Sequence, residues 1–188
     1  IANPLLSAIA ATPNPDQTLE NLCHVSDSLG GKGVLWELFN FHPPSLRLYV
    51  RLCASSWYLS RILTKQPGMI DELLDSLLVD RLPSMESLEH TLAELCHGTS
   101  DIEPMLHSFK DGYHLRVGVR DLLRKEAVKE THRALSDIAE VCLGQITERQ
   151  YYRVTERHGE PTVNGETNAG QVCELVVLAM GKLGGQEP

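Results

Sequence analysis

Breakers, more than any single motif, restrict what this chain can become. They fall at Pro13-Asn14-Pro15, Gly30-Gly31, Pro43-Pro44, Pro67-Gly68, Pro83 and Gly159-Glu160-Pro161. The windows between them carry apolar residues at helical rather than alternating spacing. What fits is a series of mostly short helices joined by tight corners, an antiparallel multi-helix bundle over residues 1–161.

Pro13-Asn14-Pro15-Asp16 is a breaker followed by an N-cap candidate, and Leu19, Leu22, Cys23, Ser26 and Leu29 follow at helical spacing up to Gly30-Gly31. Gly30-Gly31-Lys32-Gly33 follows a helix, not a strand, so it reads as a C-cap and corner and not as a phosphate loop. A short helix over residues 34–40 presents Leu35, Leu38 and Phe39. Leu46, Tyr49, Val50, Cys53 and Trp57 then form one stripe, in a single helix or in a pair broken near Ser55-Ser56. Ile70, Leu73, Leu74 and Leu77 line the next helix, and Leu88, Leu92 and Leu95 the one after it, over residues 84–97. From Asp101 a longer pattern runs through Ile102, Met105, Leu106, Phe109 and Tyr113 to Leu115, Val119, Leu122 and Leu123. Gly112 and Gly118 interrupt it, and each costs about 1 kcal/mol against alanine, so close packing or a kink is expected there. Thr131 is the expected cap of the last long helix, with Leu135, Ile138, Ala139, Cys142 and Ile146 at core spacing and a stop at Gly159 and Pro161. Residues 162–171 are polar and glycine-containing, the expected linker between residues 1–161 and whatever residues 172–188 begin.

The chain changes character at its end. Leu175-Val176-Val177-Leu178-Ala179-Met180 is a short continuous apolar run, consistent with a strand buried on both faces. It passes directly into Gly181-Lys182-Leu183-Gly184-Gly185-Gln186-Glu187. Glycines after a strand let backbone N–H groups approach an anion that a Cβ would hold off. Two familiar phosphate motifs do not fit. Lys182 is followed by Leu183 where a Walker loop needs Ser or Thr, and Gly181, Gly184 and Gly185 have the wrong order for a dinucleotide fingerprint. On spacing alone, a phosphate cradle and a plain tight turn are both open.

The eleven residues Val177 to Glu187 resemble the nucleotidyltransferase signature of the glutamine synthetase adenylyltransferases, bifunctional enzymes related to DNA polymerase β. Looser similarity extends over Pro13–Asp16, Ala54–Leu63, Gln66–Ile70 and Phe109–Leu122. The resemblance implies a polymerase β-like α/β domain whose first strand lies in residues 172–188. It also implies ATP against Gly181, Lys182, Gly184 and Gly185, and magnesium on a following Ser-Asp-x-Asp. In that family AMP is moved onto a tyrosine of glutamine synthetase and removed by phosphorolysis. Glutamine synthetase and a nitrogen-signalling regulatory protein are therefore the implied partners. No Ser-Asp-x-Asp occurs up to Pro188, so the chain is expected to be a fragment, inactive alone, with no catalytic or metal residue to assign. Its helices are then expected to serve as a docking module; another polymerase β-like transferase is the remaining alternative. The Pro-Asp opening resembles the AMP-attaching half of such enzymes, whereas Leu135–Glu140 and the Met180–Lys182 turn resemble the AMP-removing half as much.

A net charge of −8 leaves no electrostatic footprint for nucleic acid, and no apolar run reaches the ~20 residues needed to cross a bilayer. Five scattered cysteines, Cys23, Cys53, Cys96, Cys142 and Cys173, read as structural thiols of a reducing compartment, which points to the cytoplasm. Arg116 and Arg120 lie i, i+4 beside Asp121 and Arg124, offering planar donors to a phosphate or an acidic protein; the competing reading is a solvated helix face with an Asp121–Arg124 pair. His107, Asp111 and His114 share a face that suits zinc but lack a fourth ligand, and the competing reading is a wet polar face.

Overall fold

A computed structural model describes residues 2–29, 32–69, 81–163 and 170–185. The expected helix of Ile70, Leu73, Leu74 and Leu77 and the Gly30-Gly31 corner lie outside the described residues, as do the side chains of Leu35 and Leu38. The rest is mainly helical. In order come α1 (Ala2–Ala10), α2 (Pro15–Ser28), α3 (Lys32–Phe41), α4 (Pro43–Ser55), α5 (Trp57–Lys65), a 3-10 turn (Pro67–Met69), α6 (Met85–Cys96), α7 (Glu103–Leu122), α8 (Val128–His158) and a single turn, α9 (Lys182–Gly185).

The breakers act as their chemistry requires. Asn14 caps α2, its side chain accepting from the Gln17 N–H at 3.2 Å while Pro15 opens the helix. Pro43-Pro44 open α4 behind His42. The 45–57 pattern resolves into two helices because Ser56 serves both: its N–H donates to the Leu52 carbonyl at 3.0 Å, and its Oγ accepts from the Leu59 N–H at 3.2 Å. Ser84 caps α6 in the same way.

The chain divides into two compact units, Ile1–Leu82 with Asp111–Thr131 and Pro83–Lys110 with His132–Pro188. In the first, α2 packs on α4 and α5. Leu22, Val25, Tyr49, Leu52, Cys53, Ile62 and Leu63 meet Leu115 and Val119 of α7 in one core. The seam is partly polar. Asn21, buried, donates to the Cys53 carbonyl at 2.8 Å, and Ser26 is hydrogen-bonded to the Tyr49 hydroxyl at 3.3 Å. This shifts the buried face of α2 to Thr18, Asn21, Leu22, Val25 and Ser26, leaving Leu19 and Cys23 exposed against expectation. Trp57 also leaves its expected stripe: opening a new helix, it is 61% exposed. At Gly118 a Cβ would lie 2.6 Å from Leu59 Cδ1, so α7 approaches α5 closely there and a larger residue would have to push the Leu59 side chain aside. There is no break at Gly112 or Gly118; α7 runs through both.

In the second unit the buried apolar residues are Leu88, Leu92 and Cys96 of α6, Ile102, Leu106 and Phe109 at and after the start of α7, and Ala134, Ile138 and Val141 of α8. Arg149 donates to the Thr99 carbonyl. Leu95, Leu135 and Ile146, expected inside, are exposed. Helix α8 starts at Val128, so Thr131 is not its cap; the Ala127 carbonyl already accepts from the Glu130 and Thr131 N–H groups. It ends at His158, and Gly159 (φ +79°) makes the left-handed exit.

Beyond it, the two ends of the connector pair briefly. Thr162 and Val172 form an isolated antiparallel bridge, and the Cys173 N–H donates to the Pro161 carbonyl at 2.8 Å. Leu175 to Met180 then run without regular structure and with exposed side chains, Leu178 by 83%. A strand is made by its ladder partner, and among the described residues nothing pairs with this run. No helix among the described residues is long and apolar enough to cross a membrane.

Candidate functional site

The glycine corner is built from backbone constraints. Gly181 has φ +66°, a left-handed conformation that side chains disfavour. Gly184 faces inward on the preceding run: a Cβ there would overlap the Ala179 carbonyl oxygen and sit 2.9 Å from its carbon. The Gly185 N–H donates to the Gly181 carbonyl at 2.9 Å, closing the turn. Gly181 is therefore favoured by its left-handed φ and Gly184 by its close approach to Ala179; the Gly185 N–H is already committed inside the turn. Lys182 opens the turn with its side chain exposed. Gln186 and Glu187 lie outside the described residues.

Beneath this corner is a cleft of about 380 Å³, lined by Glu140, Leu143 and Gly144 of α8 and by Val177, Ala179, Leu183 and Gly184. Its walls are apolar apart from Glu140, and its size falls in the range of small-molecule sites. Gly181, Lys182, Gly184 and Gly185 thus come together on one surface turn, with Leu183 and Gly184 reaching into the cleft. The arrangement offers backbone and a mobile ammonium to an anion. Among the described residues, no three His, Cys, Asp or Glu side chains gather into a group that could hold a metal ion.

The arginines of α7 are otherwise employed. Arg120 is buried, and its guanidinium pairs with Glu126 through both Nε and Nη2. This overturns the solvated reading for Arg120 and removes the Asp121–Arg124 pair. Asp121 accepts from the Thr131 hydroxyl at 3.2 Å instead. The helix end that carries them is a Schellman motif: the Lys125 N–H donates to the Arg120 carbonyl at 3.0 Å and the Arg124 N–H to that of Asp121 at 2.9 Å, with Arg124 itself at φ +55°. Arg116 lies over the Tyr113 ring, 5.3 Å from its centroid. Glu126 escaped the sequence reading because it is six residues from its partner across a turn, a separation with no periodic signature.

The three candidate zinc ligands part company. His114 Nδ1 is hydrogen-bonded to the Tyr58 hydroxyl at 2.6 Å, Asp111 accepts from Gln66 Nε2 at 2.9 Å, and His107 pairs with Glu103 at 3.8 Å. All five cysteines are free. Burial pushes the Cys53 thiol up to about 12, opposed by its hydrogen bond to Ser60, and burial also raises the Tyr49 phenol, so neither ionises at neutral pH.

Residues 46–187 match the family model described as glutamate-ammonia ligase adenylyltransferase. Over 97% of the chain, it is 30% identical to a bifunctional glutamine synthetase adenylyltransferase/adenylyl-removing enzyme of Methylococcus capsulatus, covering 20% of that protein. It is 28% identical to the protein of the same description in Brucella suis and 30% identical to that of Xanthobacter autotrophicus, each over 97% of the chain and 18% of the relative. The chain thus spans about a fifth of the length of the curated relatives it matches. No solved structure matches it.

Proposed function

The chain belongs to the glutamate-ammonia ligase adenylyltransferase family, and from that membership we propose that the whole protein transfers AMP from ATP to a tyrosine of glutamine synthetase and removes it by phosphorolysis. In this reading residues 1–161 are the helical lead and residues 172–188 open a polymerase β-like transferase domain, working in the cytoplasm. One observation supports it above the rest. The family match runs through a corner where Gly181 holds a left-handed φ and a Cβ at Gly184 would overlap the Ala179 carbonyl. Such a corner brings bare backbone to a phosphate, and Lys182 stands beside it to offset negative charge.

Magnesium, when bound, would neutralise the charge that develops during an in-line displacement. The described residues hold no cluster for it, and the resemblance assigns it to aspartates beyond Pro188. What this stretch contributes is placement of the triphosphate, by the Gly181–Gly185 turn, over the cleft floored by α8.

The test uses the full-length protein with glutamine synthetase, magnesium and ATP labelled in the α-phosphate. Label on a glutamine synthetase tyrosine is expected, and its absence would overturn the reading. Lys182→Ala, at an exposed position that the fold does not need, is expected to lower transfer by about tenfold, the loss of one charge-assisted contact. Residues 1–188 alone should show no tight calorimetric binding of magnesium-ATP; micromolar affinity would show that the nucleotide site is complete without the rest of the protein.

A further inference from the structure

Two helices of the first unit meet at the surface through a tyrosine and a histidine. Tyr58 stands in the first turn of α5 and His114 midway along α7, 56 residues apart in sequence. The Tyr58 hydroxyl is hydrogen-bonded to His114 Nδ1 at 2.6 Å, and the two rings lie 5.7 Å apart between centroids at a tilt of 55°. Tyr58 is 42% exposed and His114 half-buried, so the shared oxygen is at the edge of solvent.

A phenol ordinarily ionises at about pH 10, which makes it a weak nucleophile at neutral pH. It becomes a useful one when a base on its oxygen takes the proton as the new bond forms. An imidazole with its proton on Nε2 presents Nδ1 as that acceptor, and the Tyr58–His114 distance is within the reach a general base needs. Exposure supplies the second requirement, room for an electrophile to approach the oxygen. Two other tyrosines each lack one of these. Tyr49 is buried, and its hydroxyl is bonded to Ser26 at 3.3 Å. Tyr152 is 60% exposed on α8 but has no such histidine bond among the described residues.

We propose that Tyr58 is a site of self-adenylylation, a tyrosine of this protein that accepts AMP from ATP with His114 as its base. The proposal rests on the transferase reading above and adds a second acceptor to it. In the step, Tyr58 Oη attacks the α-phosphorus of ATP and the phenolic proton passes to His114 Nδ1. The bond from that phosphorus to the oxygen bridging it to the β-phosphorus breaks, pyrophosphate leaves, and a phosphodiester joins Tyr58 to AMP. The oxygen that ties α5 to α7 then carries an anionic group in place of its proton.

The test incubates the full-length protein with magnesium and ATP, without glutamine synthetase and in phosphate-free buffer so that phosphorolysis cannot reverse the reaction. A parallel sample receives glutamine synthetase, and peptides from both are mapped by mass spectrometry. One adenylyl group is expected on the peptide containing Tyr58 and none on that containing Tyr152. Tyr58→Phe, which keeps the ring and its packing, is expected to lose the modification. His114→Gln can still bond the hydroxyl but cannot serve as its base, and is expected to slow the modification by about 100-fold. Both variants should label glutamine synthetase at the parental rate. An unmodified Tyr58 in a preparation that labels glutamine synthetase overturns the proposal and leaves the transferase reading standing; a preparation that labels neither overturns both. Labelling of Tyr152 as fast as Tyr58, or an unchanged rate in His114→Gln, would make exposure and not the imidazole the cause, and overturns the proposal too.

Discussion

Arg124 holds a backbone conformation that most side chains avoid, and nothing in its surroundings requires an arginine. At φ +55° it completes the Schellman turn after α7, the position glycine usually fills. Arg124→Gly is therefore expected to raise stability by about 1 kcal/mol, seen as a higher urea midpoint with unchanged slope; an unchanged or lower midpoint would contradict this account. Two residues later the same corner holds the pair of buried Arg120 with half-buried Glu126, so the turn after α7 is held by charge as well as by hydrogen bonds. Cys53 gives the molecule a sensitivity to alkali. Its folded pKa, raised by burial to about 12 from an ordinary 9, makes the thiolate far more favourable in the unfolded chain. The resulting stability is intact below pH 9 and is lost as pH rises through that window, at about 1.4 kcal/mol per pH unit for one proton. Between pH 8 and 10.5 the parent is expected to lose about 2 kcal/mol more than Cys53→Ala, by denaturation at each pH.

Ser56 couples two helices through a single residue. Its N–H ends α4 and its Oγ begins α5, which packs on α2. Ser56→Ala removes only the second of these bonds, so a loss of about 1 kcal/mol is expected, with Ser56→Asp restoring most of it; the thermal midpoints of the three proteins decide. Helix ends at Ser84, Pro43-Pro44 and Gly159 were legible beforehand because they are local chemistry that tertiary contacts rarely override, whereas the cap of α2 falls on Asn14, within the breaker, and Asp16 lies inside the helix. Which face each helix buries was legible only where that face is apolar. Leu88, Leu92, Ile138 and Val119 are inside as their spacing predicts. Helix α2 was misjudged because its seam is made by Asn21 and Ser26, whose burial depends on partners 32 and 23 residues away. Thr131 was misjudged because a good capping residue is also a good partner for a nearby carboxylate, and Asp121 claimed it. Of the glycine corner, the order of the glycines was legible, but not that the Gly185 N–H closes the turn on the Gly181 carbonyl, nor that a cleft opens against Gly144.

For the whole molecule, the contrast is between two packed helical units and the apolar run that follows them. Val176, Leu178 and Met180 expose 68, 83 and 85% of their surface, more than an isolated soluble chain normally leaves contiguous. Limited chymotrypsin digestion of residues 1–188 is expected to cut first at Leu178 or Met180, read by mass spectrometry; a first cut within α4 or α8 would place the weakness elsewhere. Each unit is stitched from two separated lengths of sequence, Ile1–Leu82 with Asp111–Thr131 and Pro83–Lys110 with His132–Pro188. A recombination breakpoint anywhere from residue 83 to 131 therefore gives a daughter gene in which at least one core is drawn from both parents. Inheritance can swap neither unit as a cassette, and divergence in one length must wait on matching change in the other.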